Sequence, residues 1–460
     1  MELRPYQVPL VEAARDAIAR RQSMILVAPT GSGKTVCFAY LTAQCAAKGQ
    51  AVTILVHRHE LMEQVSATLT AFGVEHGCIA PSYPWHRKRP VQVASVMSLR
   101  NRLADYPSPD VLICDEAHHC CSPSYQKIFD AYAHAARLGF TATPERLDGK
   151  GLMGQFGAMF VGPQPRELMD LGALCDYRLF APPVTYTNGL HRRMGDYDQK
   201  ALAEVTDTPS ITGDAIEHYR SLSPGQRALV FTVTISHARH VAARFVDAGH
   251  AAASIDGTMV PAERHRVISD FASGRCGILT SCDLVSEGYD CPGIEVAILL
   301  RPTMSLGRYL QQVGRALRPY PGKTRAIILD HAGNSSRHGF PDDVRDWTLE
   351  GRAKKAKGDA GEVAVSARTC GACYLAVRAP ALACPYCGTV FPIVAREVVE
   401  VAGELVEVDR LAARREQLRD QGRARDLAAL QALGKQRGHR PAWAWMVWNA
   451  RSRKQGAYHV

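Results

Sequence analysis

Short apolar runs recur through the first part of the chain, each followed by helical material: Met24–Val27, Val52–Val56, Val91–Val96, Val111–Cys114 and Leu138–Phe140. Runs this short and this continuous predict strands buried on both faces, the mark of a parallel sheet covered by helices. The pattern starts again at Ala228–Phe231 and continues with Ala251–Ile255, Gly277–Thr280 and Val296–Leu300. The expected fold is therefore α/β, with two doubly wound parallel-sheet domains in tandem. Between them, Gly149, Gly151, Gly154, Gly157, Pro163 and Pro165 and a charged piece at His191-Arg192-Arg193 predict a surface excursion, a closing helix of the first domain near Arg166–Leu171, and a linker. The expected boundaries are 1–180 for the first domain, 181–205 for the linker and 206–340 for the second domain. A linker at 341–365, a cysteine module at 366–395 and a helical tail at 396–460 follow, the tail carrying Leu411 and Leu418, then Leu427, Leu430 and Leu433.

Composition refines this picture in three ways. A chain of 460 residues with 46% hydrophobic content can bury two full cores and an appendage. No apolar run approaches the ~20 residues that span a bilayer, and Met1-Glu2-Leu3-Arg4 does not open a signal peptide, so no membrane partner and a cytoplasmic protein are expected. The net charge is +10, and residues 404–460 hold twelve Lys or Arg against six Asp or Glu, so the tail is the electropositive module.

The chemistry begins at the end of the first run. Ala28-Pro29-Thr30-Gly31-Ser32-Gly33-Lys34-Thr35 stands between a strand and a helix. Gly31 and Gly33 let the backbone of Thr30 to Gly33, Ser32 included, turn its N–H groups onto phosphate oxygens, with Lys34 on the β/γ-phosphates and the Thr35 hydroxyl on Mg²⁺. Gln7, about twenty residues earlier, has an amide that both donates to and accepts from an adenine edge. Val111–Cys114 delivers Asp115-Glu116-Ala117-His118, where Asp115 would hold Mg²⁺ and Glu116 would take the proton of the attacking water. His57, Arg58 and Ser95 fall at the carboxyl ends of strands and are candidates for nucleic-acid phosphate, with solvated loop residues as the alternative.

In Gln311-Gln312-Val313-Gly314-Arg315-Ala316-Leu317-Arg318, one helical turn presents Arg315 and Arg318 together, fit to neutralise charge on a γ-phosphoryl group, with Gln311 orienting the water. Cys370-Gly371-Ala372-Cys373 and Cys384-Pro385-Tyr386-Cys387 are two pairs ten residues apart, a spacing that suits a closed structural Zn²⁺ site. A module of about thirty residues is expected to draw its folding energy from that metal. Three of the five tryptophans, Trp443, Trp445 and Trp448, alternate with cations in the tail. They would suit base stacking or helix docking.

The ordered set RPYQ, APTGSGKT, HRHEL, DEAH, TATP and QQVGRALR resembles the motor of superfamily 2 helicases and translocases. With Leu329–Asn334, Arg337-His338-Gly339, the four cysteines and Gly438-His439 and Trp443-Ala444 in the tail, the chain looks like RadD-type bacterial DNA-repair ATPases and related prophage helicases. The resemblance implies two RecA-like domains, ATP, Mg²⁺ and Zn²⁺, further ATP contacts at Gly288 and Asp290, and a nucleic-acid contact at Arg264. It also implies single-stranded or branched DNA as the track and a single-strand-binding protein or recombinase as partner. Cys282 stands where many members have Thr before the acidic residue, here Asp283. An ATP-gated clamp that separates no strands stays open beside the helicase, and the motor subunit of a restriction complex is a lesser alternative.

Overall fold

The computed structural model describes residues 2–81, 83–84, 86–146, 151–181, 192–193, 196–197, 202, 206–207, 209–282, 293–351, 367–378, 381–391, 420, 423–424, 426–436, 444 and 447–448. The chain forms two units, residues 1–392 and 393–460.

In the first unit the chain opens with α1 (Val8–Ala19), β1 (Met24–Val27), α2 (Lys34–Ala47), β2 (Val52–Val56), α3 (His59–Ala71), β3 (Gly77–Ile79), β4 (Val91–Ser95), α4 (Val96–Leu99), β5 (Val111–Asp115), α5 (Pro123–Ala131), β6 (Ala136–Thr141) and β7 (Ala158–Val161). The strands pair in parallel in the order β3-β4-β2-β5-β6-β1-β7. Successive side chains of a strand point to opposite faces, so Leu26 packs with Leu10, Phe38 and Met62 while Ile25 packs with Tyr125, Ile128 and Phe129. Both faces are dry, which is why these strands read as unbroken apolar runs.

There follow α6 (Pro165–Asp170), β8 (Tyr177–Phe180), a hairpin of β9 (Arg192–Arg193) and β10 (Asp196–Tyr197), α7 (Pro209–Leu222), β11 (Ala228–Phe231), α8 (Ile235–Asp247), β12 (Ala252–Ile255), α9 (Pro261–Ala272), β13 (Ile278–Ser281), β14 (Val296–Leu299), α10 (Leu306–Ala316), β15 (Ala326–Asp330) and α11 (Asn334–His338). The second sheet is also parallel, in the order β12-β13-β11-β14-β15-β8. Two parallel sheets flanked by helices are thus two tandem RecA-like domains.

The structure corrects the expected seam between them. Tyr177–Phe180, assigned above to the first domain, is the edge strand of the second sheet, with Tyr177 opposite Ala326. The helix expected to close the first domain, α6, buries Leu168 and Met169 with Leu229, Phe231 and Leu299 in the second core. Of the segment expected as a linker, 341–365, the described residues 341–351 return to the first domain. Trp347 packs on the second core, and the Leu349 carbonyl accepts from the N–H of Leu152 (2.8 Å) and Met153 (3.0 Å).

The cysteine module is a short antiparallel pair, β16 (Ala367–Thr369) and β17 (Ala376–Arg378), with its turns. It shares one core with the second sheet: Cys370, Leu375, Val377, Cys384 and Phe391 pack with Phe180, Tyr219 and Ile327. The module is thus seated on the second domain's core in addition to any metal it binds. In the second unit, α12 (Leu427–Gln436) buries Leu430 with Ala424 and Ala444, and Trp448 packs against them. No helix among the described residues is long and apolar enough to cross a membrane.

Candidate nucleotide site and cysteine cluster

The phosphate loop leaves the carboxyl end of β1 and enters α2. Gly31 (φ +88°) and Gly33 (φ +82°) hold left-handed backbone, and a Cβ on Gly33 would lie 2.5 Å from the Gln7 amide nitrogen. Gln7 is buried there: its Nε2 donates to the Ser32 carbonyl (3.0 Å) and its Oε1 accepts from the Arg4 N–H (2.9 Å). The residue expected at the adenine therefore also braces the loop. Lys34 Nζ donates to the carbonyls of Ala28 (3.1 Å) and Pro29 (3.3 Å). Burial pushes its pKa down, Glu116 and Asp115 oppose that, and Arg318 and Arg315 add to it.

Asp115 is the last residue of β5 and is 5% exposed. Burial, then the neighbouring charge of Glu116, pushes its carboxyl up to about 7 against the pull of Lys34. A buried acid beside a second acid is a donor set that a divalent cation would relieve, so the pair fits Mg²⁺. Glu116 has φ +48°, one of three non-glycine residues with positive φ among those described. Such backbone costs about 1–3 kcal/mol and marks an imposed geometry. Its N–H donates to Asp115 Oδ1 (3.0 Å). His118 Nδ1 lies 3.4 Å from Glu116 Oε2 and 3.2 Å from Thr141 Oγ1, tying the acidic strand end to that of β6. The His119 ring stands 4.2 Å from that of His118 and 4.5 Å from that of His57. Sequence reasoning assigned neither His118 nor His119 a role, although their adjacency to Glu116 was a signal.

The second domain supplies the facing wall. Arg315 and Arg318 line a cleft of about 540 Å³ together with Gly31, Gly33, Lys34, Thr35, Asp115 and Glu116. Gln311 is buried and is not among the residues lining that cleft. The approach depends on glycine: a Cβ on Gly314 would lie 2.8 Å from Thr30 Cβ, and one on Gly307 2.7 Å from Thr143 Oγ1. Two devices hold α10. At its start Asp196, from the hairpin, accepts from Thr303 Oγ1 (2.9 Å), Met304 N (2.7 Å) and Arg308 Nη1 (2.9 Å). At its end Lys323 Nζ donates to the carbonyls of Ala316, Arg318 (3.0 Å) and Ile294 (2.7 Å). Sequence reasoning missed both. Only Lys323, a lysine just past a helix end, carried a local signal.

Of the expected nucleic-acid contacts, Arg58 and Ser95 precede α3 and α4 at strand ends, and His57 ends against His119. Arg264 bridges the domains, its Nη1 3.0 Å from Glu60 Oε1. Cys282 Sγ donates to the Val233 carbonyl (3.1 Å). Asp283, Gly288, Asp290, Trp443 and Trp445 lie outside the described residues.

Cys370, Cys373, Cys384 and Cys387 converge with all four sulfurs within 4.8 Å of one another. Cys370 and Cys387 are 3.6 Å apart, as are Cys373 and Cys384. A tetrahedron with Zn–S bonds of about 2.3 Å has edges of about 3.8 Å, so the four thiols fit that ion. Each pair sits on a tight turn: Tyr374 N–H donates to the Cys370 carbonyl and Gly388 N–H to that of Cys384, both at 2.9 Å.

Known proteins share parts of this chain's sequence and its fold. A family model described as type III restriction enzyme, res subunit, matches residues 1–146, and one described as helicase conserved C-terminal domain matches 212–320. A "51.5 kDa protein" of a Lactococcus phage (isolate 7-9) is 33% identical over 84% of this chain and 83% of its own length. "Putative ATP-dependent helicase IRC3" of Saccharomyces cerevisiae is 29% identical over 73% of this chain, which spans 52% of that protein. Among solved structures, the ATP-dependent type ISP restriction-modification enzyme LlaBIII bound to DNA shares the fold at 18% identity and a TM-score of 0.56, over 72% of this chain and 27% of its own.

Proposed function

The chain belongs to superfamily 2 of the ATP-hydrolysing helicases and translocases, and on that footing we propose a DNA-dependent motor of the RadD type acting in repair or recombination. The observation that carries the reading is the single cleft in which Lys34, Asp115 and Glu116 face Arg315 and Arg318. Lys34 and the loop N–H groups hold the phosphates, Glu116 takes the proton of the attacking water, and the two arginines neutralise the γ-phosphoryl charge. Mg²⁺, held by Thr35 and Asp115, would supply further neutralisation there. Because the arginines ride on the second domain, their arrival and departure couple turnover to domain closure.

The DNA assignment is supported by the basic tail, and the RadD likeness by the order of motor, four-cysteine cluster and tail. A single-strand-binding protein or recombinase is the protein partner this reading favours, and Zn²⁺ is the ion for the four cysteines. The test is the ATPase rate of the purified chain alone and with single-stranded DNA, duplex DNA or RNA at one fixed salt concentration, since phosphate contacts are salt-dependent. Stimulation by DNA is expected. Stimulation by RNA alone overturns the track, and indifference to all three favours a partner-gated clamp.

A further inference from the structure

Among the described residues, another groove lies where the edge strand β8 meets the cysteine module. It has a volume of about 570 Å³ and is lined by Arg166, Tyr177, Arg178, Arg325, Arg378 and Tyr386 among others, and it shares no lining residue with the nucleotide cleft. Four guanidinium groups in one groove need an explanation, because like charges repel unless something anionic joins them.

Two of the four are accounted for within the groove wall. The Asp342 side chain is 2% exposed, and its carboxylate accepts from Arg166 Nε (2.9 Å), from Arg378 Nη2 (2.6 Å) and from the Tyr177 hydroxyl. Arg166 also lies 3.5 Å from Asp176, and Arg378 donates to Asp343. Arg166 and Arg378 nevertheless remain 46% and 41% exposed at the side chain, so the buried carboxylate fixes their orientation without covering them. The other two have no carboxylate among the described residues. The Arg178 guanidinium lies 4.7 Å over the Tyr386 ring, which is itself braced edge-on by Phe180 at 5.8 Å, and Arg325 is exposed immediately before β15. A guanidinium held over a tyrosine ring offers a face on which a base stacks, and held arginine forks match phosphate oxygens.

We infer that this groove is an accessory site for single-stranded nucleic acid, separate from the nucleotide cleft, in which Arg166, Arg178, Arg325 and Arg378 take the sugar-phosphate backbone. It rests on the reading of the chain as a nucleic-acid motor and adds a second place where the strand is held. It also gives the cysteine cluster a task. The four thiols shape the turn that carries Tyr386 and so the far wall of the groove.

The test uses the full chain and the double variant R178Q/R325Q, with R178K/R325K as its charge-preserving control. Binding of a labelled oligothymidylate is measured across a salt series. Each lost phosphate contact lowers the slope of log affinity against log salt by about 0.7, so R178Q/R325Q should lower it by about 1.4 while R178K/R325K keeps the slope. An unchanged slope in a variant that melts like the parent overturns the inference. So does an unchanged slope joined to lost binding of a poly-glutamate peptide, which would make the groove a seat for an acidic protein segment. Failure of the parent chain to bind any nucleic acid would instead sink the motor reading itself, a result visible before any variant is made.

Discussion

The two walls of the nucleotide cleft are built in different ways. On the first wall the reactive groups are placed chiefly by their own stretches of chain, with braces from Gln7 and Thr141: Lys34 opens α2 directly after Gly33, and Asp115 closes β5 with Glu116 next in sequence. On the second, Arg315 and Arg318 reach the cleft because other parts of the molecule hold α10. Gly314 admits Thr30, Asp196 secures the start of the helix, and Lys323 secures its end. One wall is a local property and the other a property of docking. Damage to the first should remove chemistry and leave the domains as they are, whereas damage to the second should be graded with distance from the arginines.

The largest effect is expected from the arginines themselves. Arg318→Ala or Arg315→Ala should lower the stimulated kcat by about 10³- to 10⁵-fold while ATP still binds, as for arginine fingers in P-loop enzymes. Pre-steady-state hydrolysis together with a nucleotide-binding titration reads both quantities. A near-normal rate in either variant would remove that residue from the second wall. Glu116→Gln follows, at about 10²- to 10⁴-fold, the usual worth of a general base. Its melting temperature should not fall, since the substitution keeps the shape of a side chain already held in left-handed backbone.

The same contrast decides what could be read from the sequence. Contiguous chemistry was legible: the phosphate loop, Asp115-Glu116, the paired arginines and the cysteine spacing each carry their reason within a few residues. The two parallel sheets were legible too, because strands buried on both faces leave unbroken apolar runs. The partner of a strand is not written in its own run, so Tyr177–Phe180 gave no sign of joining Ala326–Leu329 rather than the first sheet. Nor could Asp196 be found, a lone carboxylate whose hydroxyl partner Thr303 is 107 residues away. The docking of Cys370 and Cys384 against Phe180 and Tyr219 was hidden for the same reason.

Gly314 offers an intermediate test of docking. Gly314→Val would press a branched side chain onto Thr30, whose Cβ is only 2.8 Å from where even a first carbon would sit. Displacing catalytic groups by about 1 Å can cost about 10²-fold, and that is the loss expected in stimulated kcat. The binding of ATP to the first wall should change far less, which is the split to measure. Equal losses in both would mean that the walls are not separable.

Metal removal tests the seat beneath the second wall. Because Cys370 and Cys384 lie in the core that also holds Tyr219 and Ile327, chelation or Cys384→Ser should lower the main melting transition. Each 1 kcal/mol is worth about 2–4 °C in a domain of 150–250 residues. A motor transition that stays in place, with only a small separate one lost, would show that the cysteine module folds on its own.

The smallest effect, and the sharpest for the comparison, is expected at Asp196. Its two carboxylate oxygens divide their work: Oδ1 takes the Met304 N–H at 2.7 Å, while Oδ2 takes the Thr303 hydroxyl and Arg308, each at 2.9 Å. An asparagine in its place would keep one oxygen for one of these tasks and lose the charge that holds Arg308, whereas alanine would lose all three of these contacts and the one that Oδ1 accepts from the Tyr197 N–H (3.0 Å). Hydrogen bonds to a charged group contribute about 1.5–3 kcal/mol each in favourable settings, and here the side chain is 18% exposed, so part of that is screened. A loss of about tenfold or less in stimulated kcat is expected for Asp196→Asn and a larger one for Asp196→Ala, with KM for ATP unchanged in both. The order of the two variants matters more than their size. If alanine and asparagine are both silent, α10 needs no help from the hairpin to present Arg315 and Arg318, and the second wall is as self-contained as the first.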